Sequence, residues 1–277
     1  MTDYTPQRIV CLTEETTEML YLLGEQQRIV GISGYTVRPA NARKEKPRVC
    51  AFTTAKIDKI LALKPDLVLG FSDLQADIAS ALIRQGLNVH IFNQRSIDEI
   101  LTMIVTLGSL VGAQEKALLW VEKTNRKLAK LKTDVAKRQA NENISLPVVY
   151  FEEGYDPIIT GIQWVSEVIN IAGGQECFPE LSTLRLAKNR IIADPMEVVE
   201  RKPDIIIGSW CGRKFRPETV YERPGWRQVP ALVNGHVFEI KSANILQPGP
   251  AVLTDGLDQV KSIIDNWYRQ QMTKRIG

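Results

Sequence analysis

The sequence predicts an α/β protein: two α/β lobes with mostly parallel sheets, joined by one long helix. Three observations predict it. First, short apolar runs alternate with amphipathic stretches along the chain, as in β-α repeats. Second, one pattern occurs twice. Ile57–Gly70 reads IDKILALKPDLVLG and Pro195–Gly208 reads PMEVVERKPDIIIG. Each is a short amphipathic helix, then Lys-Pro-Asp, then an apolar strand ending in glycine. Third, Ala113 to Asn141 holds no proline or glycine and is rich in Glu, Lys, Ala and Leu. Within it Trp120, Val121, Thr124, Leu128, Leu131 and Val135 form one apolar stripe. That is a helix of about 28 residues, roughly 40 Å long. The expected domains are therefore a lobe over 1–112, a linking helix over 113–142 and a lobe over 143–277.

The elements follow in order. In the first lobe, strands are expected at Ile9–Leu12, Ile29–Ser33, Leu67–Phe71 and Val89–Phe92. Helices are expected at Thr16–Leu23, Ile57–Ala62, Asp77–Gln85 and Ile97–Val111. In the second lobe, Val148–Phe151, Ile205–Trp210 and Val237–Ile240 read as strands. Trp164–Ala172, Met196–Glu200 and Leu253–Tyr268 read as helices. Runs such as LVLG and IIIG lack alternation, which fits strands covered on both faces. Proline stops each helix before Lys-Pro-Asp and presets the turn.

Composition narrows the function. The chain has 277 residues, 44% apolar and 24% charged, with a formal net charge of +3. That excludes disordered and fibrous architectures and argues against nucleic acid as a partner. No apolar run approaches the ~20 residues of a membrane span. The opening residues show no basic segment followed by an apolar one. A cytoplasmic location is the expectation, with a periplasmic or membrane-associated one as the alternative. Cys11, Cys50, Cys177 and Cys211 lie far apart without a CxxC pair and are expected to be buried thiols. His90 sits in an apolar run and reads as a core residue, and His236 follows the turn pair Asn234-Gly235 and reads as exposed. Two distant histidines make a metal site improbable, and no catalytic motif occurs. Glu14, Glu15 and Glu153 could serve as acid or base, but carboxylates at a helix start ordinarily cap it and complement its dipole. The chain is therefore read as not an enzyme.

Ligands of open α/β sheets lie beyond the carboxyl ends of the strands. Tyr35, Phe52, Phe71, Tyr155, Trp164 and Trp210 all fall at such loop ends. Together they predict an aromatic cleft between the lobes, suited to a large, flat, partly apolar ligand held by a few polar groups.

At these residues the chain resembles the class III substrate-binding proteins of ABC importers. The stretches RIVCLTEETTEMLYLLG, VGISGYTVRP, KPRVCAFTTAKIDKILALKPDLVLG and INIAGGQECF are similar to landmarks of that family. Within it the chain looks most like the cobalamin-binding branch, through SWCGRKFRPE, RPGW and LQPGPAVLTDGL. The resemblance implies cobalamin or a related corrinoid as ligand, with no cofactor required. Tyr35, Phe52, Phe71 and Trp210 would stack on the macrocycle. Glu15, Arg213 and Gln247 would bond its amides or nucleotide tail, and neither histidine is placed to serve as an axial ligand. The role implied is a carrier, store or sensor. One alternative is the binding component of an ABC importer for cobalamin, haem or a ferric siderophore, with the permease as partner. Another is an enzyme acting on a corrinoid or tetrapyrrole precursor. A siderophore reading would call for a more basic cleft, and only Arg38, Arg213 and Arg216 stand out. The family carries one permease-docking glutamate on each lobe. Here Ala76 and Met196 fall at those places, with Asp77 and Glu197 one residue on.

Overall fold

The computed structural model describes residues 4–142 and 144–276. The chain forms two compact units. The first comprises Met1–Thr124 and Gln247–Pro250, and the second Asn125–Leu246 and Ala251–Gly277. The division thus falls inside the long helix, and a four-residue segment from late in the chain belongs to the first unit.

The first unit alternates strand and helix: β1 (Ile9–Cys11), α1 (Glu14–Leu22), β2 (Ile29–Ser33), α2 (Ala42–Glu45), β3 (Arg48–Cys50), α3 (Ile57–Ala62), β4 (Leu67–Phe71), α4 (Ala76–Arg84), β5 (Val89–Phe92) and α5 (Ile97–Leu110). Its sheet has the order β3-β2-β1-β4-β5, and every pairing is parallel. The order reverses at β1, so the loops after β1 and β4 flank the switch point where such sheets bind ligands. Val10, Leu12, Val49, Ile60, Val68, Ile78 and Leu82 form the core on one face. Ser96 caps α5: its hydroxyl accepts the Glu99 N–H while the Glu99 carboxylate accepts the Ser96 N–H. The linking helix α6 (Gln114–Glu142) has 29 residues and runs from the first unit into the second.

The second unit contains β6 (Val148–Tyr155), β7 (Ile158–Thr160), α7 (Gln163–Ala172), β8 (Gln175–Glu176), α8 (Pro179–Ser182), α9 (Met196–Arg201), β9 (Ile205–Gly208), α10 (Pro217–Tyr221), α11 (Pro230–Val233), β10 (Val237–Glu239), α12 (Ser242–Ile245) and α13 (Leu257–Ile276). Its sheet has the order β10-β9-β6-β7, with β8 also on β6. All pairings are parallel except β6 with β7. On α6, Leu128 and Leu131 are buried. The next stripe residue, Val135, meets Gly173, which ends α7 in the left-handed region at φ +96°. A side chain at Gly173 would press on Val135 and strain the backbone.

The repeated sequence is also a repeated structure. In each copy the lysine of Lys-Pro-Asp is left-handed, Lys64 at φ 46° and Lys202 at φ 49°. The aspartate then ties the new strand to the first strand of its own sheet. Asp66 accepts the N–H groups of Gln7 and Arg8 at 2.7 and 2.9 Å. Asp204 accepts the Val148 N–H at 2.9 Å. Both strands that follow, β4 and β9, lie parallel to the first strand of their sheet.

Several features differ from the sequence-based expectation. Strands β3, β7 and β8 are additional, and β6 runs on to Tyr155. His236 is 3% exposed rather than open. Its Nδ1 lies 3.1 Å from the Asp204 carbonyl and its Nε2 2.7 Å from Gln270 Oε1. Those two partners turn the ring inward. His90 is only partly buried on β5, its ring 4.3 Å from that of Phe92. Cys11, Cys50 and Cys177 are buried, whereas Cys211 is exposed, because it lies on a surface loop beyond β9. No described helix is long and apolar enough to cross a membrane. Among the described residues no group of three or more His, Cys, Asp or Glu could hold a metal.

Candidate ligand-binding site

In the first unit, β1 enters α1 through Thr13. Thr13 does not cap the helix with its side chain. Its hydroxyl instead donates to Glu15 Oε1 at 2.6 Å. Glu15 is 1% exposed and lies beneath Gly249, where an added Cβ would fall 2.4 Å from the Glu15 Cβ. Only glycine lets the Gln247–Pro250 segment approach this closely, and Gln94 Nε2 holds it by donating to the Pro248 carbonyl at 2.8 Å. Burial pushes the Glu15 carboxyl up to about 7. Burial, then the neighbouring Glu15 charge, pushes Glu14 up to about 8. Glu18 is paired with Arg38 at 2.8 Å.

Gln75 ties together three of the loops at this edge. Its amide donates to the Phe52 carbonyl at 2.8 Å and to the Leu12 carbonyl at 3.4 Å, and its Oε1 accepts the Phe71 N–H at 3.0 Å. The structure places Phe71 beneath the Arg95 guanidinium, 4.6 Å from the ring centroid, so that Phe71 is 7% exposed. Arg95 also lies 3.6 Å from Asp73. Sequence reasoning missed Arg95, although it stands in a loop just past β5. Tyr35 is 58% exposed, while Phe52 and Gln247 are half-buried.

In the second unit, the edge is organised by one buried carboxylate. Glu152 is fully buried and accepts four hydrogen bonds: 2.6 and 2.8 Å from Arg223, 2.9 Å from the Tyr150 hydroxyl and 2.9 Å from the Trp210 indole. Arg223 is itself packed against Trp226 and Tyr155. The rings then pile outward: Phe215 and Trp210 lie 4.9 Å apart, and Trp210 and Tyr155 also 4.9 Å. Trp210 is buried, and Tyr155 is the exposed end of the pile. At its base, a Cβ on Gly208 would lie 1.9 Å from Phe215. Gly208→Ala is therefore expected to push Phe215 aside and cost about 3 kcal/mol, read as a lower urea midpoint. Gly208→Ala in a Phe215→Leu background should cost less.

Two of the sequence-predicted candidates, Trp164 and Glu153, are already paired. Trp164 is 4% exposed, its indole donating to the Ile245 carbonyl at 2.9 Å within the second unit. Glu153 is clamped by Arg190 at 2.7 Å. Arg213 is exposed on the loop after Trp210. Each edge thus supplies its own aromatic and polar surface, with Tyr35 and Phe52 on that of the first unit and Tyr155 on that of the second.

Such surfaces lie at the carboxyl ends of two mostly parallel sheets, in a chain with one long helix between them. Residues 9–243 match the periplasmic binding protein family, and the chain belongs to it. It is 26% identical over 263 residues to the vitamin B12-binding protein of Vibrio cholerae, covering 93% of this chain and 88% of that one. It is 23% identical over 272 residues to an uncharacterised ABC transporter substrate-binding lipoprotein of Bacillus subtilis, covering 96% and 82%. Its fold matches the crystal structure of a periplasmic haem-binding protein from Pseudomonas aeruginosa with a TM-score of 0.78 and 19% identity, covering 94% and 92%.

Proposed function

We propose that this chain binds cobalamin or a related corrinoid, as the substrate-binding component of an ABC importer. The observation that carries this reading is the aromatic edge of each sheet, set on a hydrogen-bonded base, in a chain similar over 93% of its length to a vitamin B12-binding protein. Haem is the rival ligand. Haem iron takes an axial side chain from the protein; His236 is occupied by Asp204 and Gln270 and His90 packs on Phe92, so an exposed tyrosine, Tyr35 or Tyr155, would have to supply it. A corrinoid with its nucleotide base brings that ligand itself. The importer reading replaces the cytoplasmic carrier, store or sensor, because relatives carry periplasmic and lipoprotein names. Asp77, at the start of α4, and Glu197, at the start of α9, would be the acids offered to a permease.

The test is co-elution of the purified protein with hydroxocobalamin on a desalting column, with haem and a ferric siderophore in parallel. Stoichiometric corrin absorbance in the protein fraction is expected. Tyr35→Ala should then weaken binding about tenfold, because the exposed ring would lose its stacking area. Retention of haem or siderophore but no corrinoid overturns the ligand, and retention of none overturns the reading as a whole.

A further inference from the structure

The loop after β9 carries three cations within four residues, Arg213, Lys214 and Arg216, all exposed. No other described residue meets their charged groups in a hydrogen bond or ion pair. Elsewhere on the two edges, cations are neutralised: Arg38 by Glu18, Arg95 by Asp73, Arg190 by Glu153 and Arg223 by Glu152.

The loop is not a loose basic tail. It leaves the aromatic pile at Trp210 and returns to it at Phe215, which is 2% exposed and packed on Trp210. Two backbone bonds fix its start, Cys211 N–H to the Glu153 carbonyl at 3.2 Å and Arg213 N–H to the Trp210 carbonyl at 3.3 Å. Gly212, at φ +72°, makes the turn. The loop that carries the cations is therefore anchored at both ends to the ring pile that runs from Phe215 through Trp210 to Tyr155.

We propose that Arg213, Lys214 and Arg216 form the binding element for an anionic oxygen group on the ligand. Resting on the corrinoid reading, that group is the phosphodiester of the nucleotide tail. The neutral amides around a corrin ring offer cations no counter-charge, whereas a phosphodiester accepts charge-assisted hydrogen bonds from guanidinium groups. The loop would thus select complete corrinoids over precursors that lack the tail.

The test compares Kd for cobalamin and for cobinamide, which has no phosphodiester, in wild type, Arg213→Ala/Arg216→Ala and Arg213→Lys/Arg216→Lys. Wild type is expected to prefer cobalamin by about tenfold, and the alanine pair to lose most of that ratio. The lysine pair should retain part of it, and salt should erode it in wild type. Circular dichroism shows whether each variant is folded. Equal binding of the two corrinoids by wild type, or a ratio unchanged in the alanine pair, overturns this proposal and leaves the corrinoid reading intact. Haem and haem dimethyl ester form the second arm. If haem binds and corrinoids do not, the corrinoid reading falls. Preference for the free propionates, lost in the alanine pair, then supports the loop's role toward an anion, and its absence overturns it. Binding of no coloured ligand overturns both.

Discussion

Arg223→Ala is expected to lower the unfolding free energy of the second unit by about 3–5 kcal/mol. Glu152 is fully buried, and Arg223 supplies its only countercharge among the described residues, with 11% of its own side chain exposed. Removing the guanidinium leaves a buried carboxylate with two neutral donors, Tyr150 and Trp210. Breaking one side of a buried pair costs more than the pair contributes, because the stranded charge keeps its desolvation penalty. Arg223→Lys should rescue poorly, since one ammonium cannot make the two parallel bonds at 2.6 and 2.8 Å. Arg223→Ala/Glu152→Gln should recover a good part of the loss by removing the charge while keeping an acceptor. Urea unfolding followed by tryptophan fluorescence reads this directly, because Trp164, Trp210, Trp226 and Trp267 all belong to the second unit. A loss below about 1 kcal/mol for Arg223→Ala would show that Glu152 is solvated or protonated without its partner. The same variant removes the cation beneath Tyr155, so corrinoid affinity should fall with stability.

The parallel strands are legible in the sequence because burial on both faces writes them as unbroken apolar runs, as in Leu67–Phe71 and Ile205–Gly208. β3 and β8 are not, because neither is an apolar run: β3 reads Arg-Val-Cys and β8 reads Gln-Glu. β6 hides its second half because Glu152 and Glu153 look like a polar loop. They are strand residues whose charges are met by Arg223 and Arg190, far off in sequence. The loop-end aromatics are legible from the topology of α/β sheets, but their exposure is not. Phe71 lies under Arg95 and Trp164 bonds to Ile245, contacts that depend on tertiary neighbours. His236 escapes for the same reason: a turn does precede it, but Gln270, on the last helix, draws the ring inward. The place of Gln247–Pro250 in the first unit is also invisible in the sequence, since Gly249 reads as an ordinary loop glycine until Glu15 is seen against it.

The stability of the first unit is expected to fall by about 2–4 kcal/mol between pH 5 and pH 8. Burial raises Glu15 to about 7 and Glu14 to about 8, from 4.5 for an unperturbed carboxyl. Between those values the folded chain keeps protons that the unfolded chain has released. Folding then takes up protons, so stability is highest below pH 4.5 and is lost as pH rises through 7 and 8. A tenfold difference in proton affinity between the folded and unfolded chain corresponds to about 1.4 kcal/mol. The two carboxyls are neighbours and titrate together, so their contributions do not simply add. Several groups temper the effect: the Thr13 hydroxyl and then the Glu15 backbone favour the charged form of Glu15, and the Val37 backbone and then the Arg43 charge favour that of Glu14. Glu18 pushes both the other way. His90, lowered by burial, has the opposite slope, gaining stability as pH rises toward 6.5. Glu176 in the second unit, raised to about 7 by burial, has the same sign as the pair. The measurement is therefore a difference: urea unfolding of wild type and of Glu14→Gln/Glu15→Gln, each from pH 5 to 8, followed by circular dichroism. His90 and Glu176 are common to both proteins and cancel. The double variant should lose the greater part of the slope and be the more stable protein at pH 8. Parallel slopes in the two proteins would mean that Glu14 and Glu15 ionise in the folded state as readily as in the unfolded one, and that the Gln247–Pro250 segment does not shield Glu15 from water.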